Sequence, residues 1–240
     1  MLSTKWIKSL LIMTATVASL SGAAFAQPQP PAGVRSDIVP LNPPQTVEND
    51  GKIEVLEFFG YGCIHCANLE PKLEAWGKKQ PADVKLKRVP VAFALRGIDS
   101  VPIFYTLEAM GLQEKLQQKI FDAANVENVI LGNPATLNTW LEKQGVDAKK
   151  YEEVQKSFSV QTKIARAKKM TEDYKIQSTP TLIVNGRYSI QQTAGPDRLF
   201  ANIDQLIVEA RATNKVSAPA AAAPSPAAAI KSATKPPVKK

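Results

Sequence analysis

Residues 53–66, with the sequence IEVLEFFGYGCIHC, decide the fold of this chain. The part that ends at Phe59 clusters Val, Leu and Phe as strands do, and Gly60 and Gly62 interrupt that pattern. The sequence therefore predicts a strand over residues 51–59 that ends in a turn just before the first cysteine.

A helix is predicted to follow this turn, over residues 63–79. Its large apolar side chains recur at i, i+4 and i+7, on one helical face; they are Leu69, Leu73 and Trp76. A second strand is predicted at residues 84–91. Strand, helix and strand within about 40 residues are typical of a βαβ unit with parallel strands.

The second half of the chain predicts helices and then a hairpin. Residues 99–174 have no strand pattern, and apolar stripes predict several helices there, the last with Phe158 in its stripe. Asn185-Gly186 separates two short strand-like runs, which is a strong hairpin signal. An amphipathic helix is predicted to begin at Pro196. The predicted fold class is α/β, with the order βαβ, helices, then ββα.

The charge is concentrated at the two ends. The chain has 30 Lys and Arg residues, 22 Asp and Glu residues and a formal net charge of +8. Residues 1–26 hold two of the basic residues and residues 211–240 hold six, with no acidic residue in either segment. The segment 27–210 is therefore neutral, and we predict no nucleic-acid partner for the folded body.

The N-terminus predicts export. Two lysines, an apolar run over residues 10–20 and the sequence Ala24-Phe25-Ala26 are typical of a secretory signal peptide cleaved after Ala26. A retained membrane anchor is the weaker alternative, because Thr and Ser residues dilute the apolar run. We expect the mature protein to begin at Gln27 and to be exported to an oxidising compartment, where disulfides persist.

Cys63 and Cys66 are the only cysteines, and His65 is the only histidine. Zinc needs four ligands, which these residues cannot supply. Covalent haem attachment needs a histidine directly after the second cysteine, where Ala67 stands. A purely structural disulfide over four residues would stabilise the fold by only about 2 kcal/mol. We therefore predict a redox-active pair, with no metal and no bound cofactor.

The predicted position of Cys63 indicates an oxidant. At the first turn of a helix, unpaired backbone N–H groups and the helix dipole favour an anion. His65 can add positive charge or a hydrogen-bond donor to the same sulfur. A lowered thiol pKa stabilises the reduced form relative to the disulfide, so the protein is expected to donate its disulfide.

Two charged residues interrupt the apolar strands, Glu57 in the first and Arg88 in the second. An isolated buried carboxylate is costly, so we expect Glu57 to pair with Arg88 across adjacent strands. One interpretation is a proton relay from Glu57 to Cys66. The other is an edge position at which both charges are solvated, and the residues alone leave both open.

Four features together resemble the bacterial periplasmic thiol:disulfide oxidases of the DsbA type, over residues 50–212. They are the run Leu56 to Phe59, the Cys63–Cys66 motif, the helical insert, and Thr179-Pro180 ahead of the Asn-Gly hairpin. The resemblance implies a thioredoxin fold with an inserted helical domain.

The resemblance also implies roles for individual residues. Cys63 would be the sulfur that a substrate thiolate attacks, and Cys66 the leaving and later resolving thiol. Glu57 stands at the buried acid of the family, and Arg88 where a lysine is commoner.

The resemblance further implies that Pro180 is a cis-proline beside the disulfide and that the backbone at Thr179 and Pro180 pairs with substrate. Two residues depart from the family pattern. Ile64 replaces the usual proline, and Thr179 stands where a branched apolar residue is common. The redox potential and the substrate range therefore stay open.

These observations predict five segments. They are a signal peptide (1–26), an extended lead-in (27–50), a thioredoxin-like domain (51–98 and 166–212), a helical insert (99–165) and a disordered tail (213–240). The tail is cationic; it either contacts an anionic membrane or wall polymer, or is simply solvated.

We expect an enzyme, a protein disulfide oxidoreductase that oxidises exported proteins with free thiols through a mixed disulfide at Cys63. The resemblance implies reoxidation by a quinone-linked membrane partner of the DsbB type. Two alternatives remain. One is an envelope isomerase or reductase, although residues 27–50 are too short for the dimerisation domain of such isomerases. The other is a non-catalytic binding or scaffold protein of the envelope.

Overall fold

The structure is a computed structural model that describes residues 37–48, 50–191 and 195–217, with side chains described as far as 213. The predicted signal peptide and most of the predicted tail lie outside the described residues. Within the described ranges, no helix is long and apolar enough to cross a membrane.

The centre of the fold is one five-stranded sheet with the order β1-β5-β4-β2-β3. Its strands are β1 (Ile38–Pro40), β2 (Ile53–Phe59), β3 (Val84–Pro90), β4 (Thr181–Val184) and β5 (Tyr188–Gln191). β2 and β3 are parallel, and the other pairs are antiparallel. All seven residues of β2 are buried because the strand has a neighbour on each side and helices on both faces.

The described residues form seven helices. They are α1 (Ile64–Lys78), α2 (Ser100–Ala109), α3 (Gln113–Asn125), α4 (Pro134–Lys143), α5 (Ala148–Gln155), α6 (Phe158–Asp173) and α7 (Pro196–Ser217). The α/β fold class and the predicted element order are confirmed. The domain boundaries stay predictions, and the one between residues 165 and 166 falls inside α6.

Helices cover both faces of the sheet. α1 and α7 pack on one face through residues such as Leu73 and Ile203, and α2 and α6 pack on the other through Val101 and Ala167. A third core joins the buried faces of α2–α5 to Phe59 and to both cysteines. The cysteine pair therefore lies where the sheet shares a core with helices α2–α5, which are called the helical region below.

The turn between β4 and β5 follows the sequence prediction. Asn185 and Gly186 have positive φ angles of 50° and 63°. Two successive left-handed residues give the turn a twist that matches the flanking strands, and three residues separate β4 from β5. The prediction from the Asn-Gly pair is therefore confirmed.

Two local features differ from expectation. Within the predicted lead-in, residues 38–40 form β1, which pairs with β5; strand pairing with a distant segment leaves no local periodic signal. The placement of Phe158 in an apolar stripe was wrong, because its side chain is 87% exposed. It is the first residue of α6, whose buried positions are Val160, Ala167 and Thr171.

Candidate active site

Cys63 is the N-cap residue of α1. Its backbone is extended (φ −95°, ψ 109°), and its Sγ accepts a hydrogen bond from the backbone N–H of Cys66 at 3.1 Å. This N–H is one of those left without an intrahelical partner at a helix start. The turn after β2 places the Cys63 sulfur at the start of α1. There it accepts a free backbone N–H of the first helical turn, as the side-chain oxygen of an N-cap residue usually does.

The two thiols have opposite acidities. Hydrogen bonds lower the pKa of Cys63 to about 6: the largest effect is from the Cys66 thiol, followed by the Thr179 side chain and the backbone N–H groups of Cys66 and His65, while burial opposes them. Burial raises the pKa of the Cys66 thiol far above its usual range, and the hydrogen bond and the charge of Cys63 add to this. Both cysteines are free thiols in the structure, which therefore represents the reduced pair.

The structure brings Thr179 and Pro180 to Cys63. The Thr179-Pro180 peptide bond is cis, and the Cys63 thiol donates a hydrogen bond to the Thr179 carbonyl at 3.5 Å. Pro180 is buried, and β4 begins at the next residue. The carbonyl of the half-buried residue Thr179 therefore lies beside the Cys63 sulfur.

The two residues between the cysteines are exposed. Ile64 has 44% of its surface accessible, and the His65 side chain also faces solvent. Within the described residues, the contribution of His65 to the Cys63 thiolate comes from its backbone N–H. The predicted contribution of the imidazole stays a prediction.

Glu57 lies directly opposite Arg88 in the β2–β3 ladder, as expected. Its Oε2 is 3.6 Å from Arg88 Nε, and neither carboxyl oxygen has a hydrogen-bond partner among the described residues. Burial raises the pKa of Glu57 to about 8; the charge of Glu70 adds to this, Arg88 opposes it, and Cys63 adds a smaller increase. The interpretation with solvated charges is wrong for Glu57, because β2 is an inner strand and the side chain is fully buried.

The sequence analysis missed a second buried acid, Glu70 on α1. Arg88 donates two hydrogen bonds to it, from Nε to Oε2 at 3.1 Å and from Nη2 to Oε1 at 2.5 Å. In the sequence Glu70 looks like one of several polar residues of an amphipathic helix. Its position beside Leu69 and three residues before Leu73, at the margin of the apolar face, was the available signal.

Gly62 allows the backbone of Leu95 to pack closely against the residue before Cys63. A Cβ atom at this position would lie 2.1 Å from the carbonyl oxygen of Leu95, so the residue before Cys63 must lack a side chain. In the sequence Gly62 indicated only the end of a strand. The contact with Leu95, in the loop after β3, depends on the tertiary fold.

Metal binding has no support in the described part of the chain, where no group of three or more His, Cys, Asp or Glu side chains could hold an ion. The chemistry available at the site is that of two thiols, a buried carboxyl group and an arginine shared between two acids.

Comparisons with known proteins identify relatives of this chain. Residues 98–206 match the family described as DSBA-like thioredoxin domain. The thiol:disulfide interchange protein DsbA of Bordetella parapertussis is 40% identical over 81% of this chain and 94% of its own length, and that of Pseudomonas aeruginosa is 37% identical over 85% and 98%.

Solved structures give the same result. The crystal structure of Pseudomonas aeruginosa DsbA aligns with a TM-score of 0.69 and 35% identity, over 75% of this chain and 94% of that one. The oxidoreductase NmDsbA1 of Neisseria meningitidis aligns with a TM-score of 0.68 and 30% identity, over 78% and 100%. Fold, cysteine pair and relatives define a thiol:disulfide oxidoreductase with the thioredoxin fold. Within that class, the chain belongs to the DsbA family.

Proposed function

We propose that this protein oxidises exported proteins by donating the Cys63–Cys66 disulfide to their thiols. The observation that carries the proposal is the lowered pKa of Cys63, whose Sγ accepts the N–H of Cys66 at 3.1 Å. Hydrogen bonds to the Cys63 sulfur stabilise its thiolate, but they do not stabilise the disulfide to a comparable degree. The reduced form is therefore favoured. A protein that is more stable when reduced gives its disulfide away.

The first step is attack of a client thiolate on Cys63 Sγ. A client–Cys63 disulfide forms, the Cys63–Cys66 bond breaks, and its electron pair goes to Cys66 Sγ. Because the pKa of Cys66 is strongly raised by burial, this sulfur must take up a proton. Glu57, which is largely protonated at neutral pH with its pKa of about 8, is the nearby proton source. The charge of Arg88 lowers the pKa of Glu57 and so eases the release of this proton.

In the second step another client thiolate attacks the client sulfur of the mixed disulfide. The client disulfide forms, the client loses two electrons, and Cys63 leaves as a thiolate. The lowered pKa of Cys63 makes it a good leaving group. The reduced protein is then reoxidised by a quinone-linked membrane partner of the DsbB type, which accepts the two electrons.

The client chain would bind beside Cys63. The Thr179 carbonyl is 3.5 Å from Cys63 Sγ, and an extended client can pair with the backbone at Thr179 and Pro180 as an added strand does. The exposed Ile64 side chain offers an apolar contact next to the reacting sulfur.

The proposed location is the periplasm, after removal of residues 1–26. The support is the export signal in the sequence, together with a disulfide chemistry that needs an oxidising compartment. The cationic residues of the tail, such as Lys239 and Lys240, could in addition contact anionic groups of the envelope.

The test is oxidation of a dithiol peptide by the purified mature protein, with the Cys63→Ser variant as the comparison. We expect wild-type turnover and complete loss in the variant; equal activity of the two would refute the proposal. The equilibrium with glutathione separates an oxidase from a reductase, because a reductase would hold its disulfide far more strongly. Deletion of residues 218–240 should leave peptide oxidation and the effect of the protein in cells unchanged. If the protein were a scaffold that acts through its tail, the same deletion would abolish its effect in cells while peptide oxidation continued.

A further inference from the structure

A chain of hydrogen bonds joins the helical region to the acids behind the cysteines. Gln117 of α3 is 4% exposed, and its Nε2 donates to Glu70 Oε2 at 3.3 Å. Its Oε1 accepts from the Tyr61 hydroxyl at 2.8 Å and from Gln113 Nε2 at 2.7 Å. Gln117 is therefore the link between α3, α1 and the turn that precedes Cys63.

The chemistry of the partners determines the orientation of the Gln117 amide. The Glu70 carboxylate, bound by Arg88, can only accept hydrogen bonds, so the amide nitrogen must face it. The amide oxygen then faces two donors, the Tyr61 hydroxyl and the Gln113 amide. A reversed amide would place oxygen against carboxylate oxygen, and this alternative is excluded.

One arginine serves two buried carboxyl groups. Arg88 gives two hydrogen bonds to Glu70, while its Nε stays 3.6 Å from Glu57 Oε2. A buried carboxyl group without a donor is stable only when protonated. The direction in which the Glu70 carboxylate points therefore decides whether Glu57 keeps its proton.

We propose that Gln117 is a positioning residue for the redox centre: it holds the Glu70 carboxylate against Arg88 and so withholds the arginine from Glu57. The helical region would then set the charge beneath the two thiols. This inference deepens the proposed function and rests on it for its biological meaning, but the thiol acidity that it concerns can be measured without any client.

Loss of the Gln117 donor would free the Glu70 carboxylate to turn. Arg88 could then close the 3.6 Å gap to Glu57, and Glu57 would ionise more readily. The charged and titratable groups around Glu57 are Arg88 on β3, Glu70 and Cys66 on α1, Cys63 at its N-cap, and Tyr61 in the turn after β2, while β4 presents Leu182 opposite. A new negative charge here would raise the pKa of Cys63.

The test is the Gln117→Met variant, which keeps the length of the side chain and adds no charge. Thiolate absorbance is followed against pH in the reduced full-length mature protein, and the equilibrium with glutathione is measured alongside. We expect the thiol pKa of Cys63 to rise by about half a unit, and the equilibrium constant for oxidation of glutathione to fall about threefold. Gln117→Asn, whose amide is too short to reach Glu70, should give the same shift if the methionine variant folds poorly.

Two controls separate positioning from packing. Tyr61→Phe removes a hydrogen bond from Gln117 without touching Glu70 and should leave the thiol pKa unchanged. In a Glu70→Gln background, the shift caused by Gln117→Met should disappear, because the two residues act in one chain. Unchanged pKa values in folded Gln117 variants, or the same shift in both backgrounds, would overturn the inference. Failure of wild-type peptide oxidation would instead contradict the proposed function.

Discussion

At the residue scale, the asymmetry between the two cysteines comes from their positions on one helix. Cys63 is the N-cap, where unpaired N–H groups meet its sulfur, and Cys66 lies one turn further into the core. The same side chain is therefore acidic at one position and very weakly acidic at the other. In the proposed mechanism, this difference favours attack at Cys63, while Cys66, the leaving sulfur, takes up a proton.

The pKa of Cys63 predicts that the unfolding free energy of the reduced protein depends on pH in a way that the oxidised protein does not share. Its folded pKa of about 6 is below the usual value of 9.0. The contribution of Cys63 to the stability of the reduced form therefore grows as pH rises from about 6 to 9, is kept above that range, and is lost as pH falls through 6. We expect the difference in unfolding free energy between reduced and oxidised protein to grow by about 2 kcal/mol over this interval, after allowance for solvent screening.

Urea unfolding of both redox forms at pH 5, 7 and 9 measures this difference. The oxidised form is the internal control, because its Cys63 carries no titratable proton. A difference that stays constant with pH would show that the Cys63 thiol has ordinary acidity.

Glu57 has the opposite effect on stability. Burial raises its folded pKa to about 8 from a usual value of 4.5, so the unfolded state ionises first and the protein loses stability as pH rises between these values. Glu57→Gln should therefore raise the unfolding free energy by about 3 kcal/mol at pH 7. The gain should fade toward pH 4, where the carboxyl group is protonated in both states.

Denaturant titration of the oxidised protein from pH 4 to 8 checks the Glu57 prediction. Glu74→Gln, which changes an exposed residue of α1, is the matched control and should alter stability by less than about 0.5 kcal/mol. A Glu57 variant that is equally destabilised at every pH would indicate a packing defect.

At the element scale, the β4–β5 turn combines a local and a distant constraint. Asn185 and Gly186 both take left-handed conformations, which the sequence predicts. In addition, Gln45 donates its N–H to the Gly186 carbonyl, and a Cβ atom on Gly186 would lie 2.3 Å from the Gln45 carbonyl oxygen. The lead-in therefore crosses the hairpin at the one residue without a side chain.

Gly186→Ala should be costly for both reasons. The left-handed backbone accounts for about 1 kcal/mol, and displacement of the residue 45 backbone should bring the total loss of unfolding free energy to about 3 kcal/mol. Gly111→Ala is the matched control, since its φ is 69° and nothing lies within 4 Å of its added Cβ. Equal losses in the two variants, measured by urea unfolding, would contradict the role of the crossing segment.

At the scale of the whole molecule, one carboxylate joins three parts of the chain. Glu48 in the lead-in forms ion pairs with Lys85 at 3.0 Å and Lys87 at 2.6 Å on β3, and with Arg166 at 3.3 Å on α6. Hydrogen bonds, first from Lys87 and then from Lys85, lower the pKa of Glu48 to about 2. Glu48 thereby connects the lead-in, the edge strand β3 and helix α6.

Glu48→Gln should lower the unfolding free energy by about 1 kcal/mol at pH 7, because solvent screens a partly exposed side chain. The stabilisation is present above pH 4.5 and is lost as pH falls through 2, so the variant and the wild type should converge in acid. Urea unfolding at pH 7 measures the difference in unfolding free energy between the wild type and the variant. The measurement is repeated in high salt, which should reduce this difference. A loss no larger than that of Glu74→Gln, which breaks an exposed pair with Lys78, would mean that the three partners add nothing.

The sequence predicted the element order, the Asn-Gly turn and the DsbA family, and these are confirmed. It also indicated that Glu57 would pair with Arg88 across adjacent strands, because an isolated buried carboxylate is costly. It missed Glu70 and Gln117, whose importance lies in contacts between α1 and α3. The catalytic roles of Cys63, Cys66 and Pro180 stay predictions until they are measured.

The sequence by itself determined the chemistry of this protein: two cysteines three residues apart at a helix start, with no other thiol to pair with. Such signals are local, because turns, helix caps and periodic apolar faces depend on residues that are close together in the sequence. Only the tertiary structure decided how the arginine is shared between two acids, where the lead-in crosses the hairpin, and that Phe158 faces solvent. These outcomes depend on burial and on charges from distant segments, which no local pattern contains.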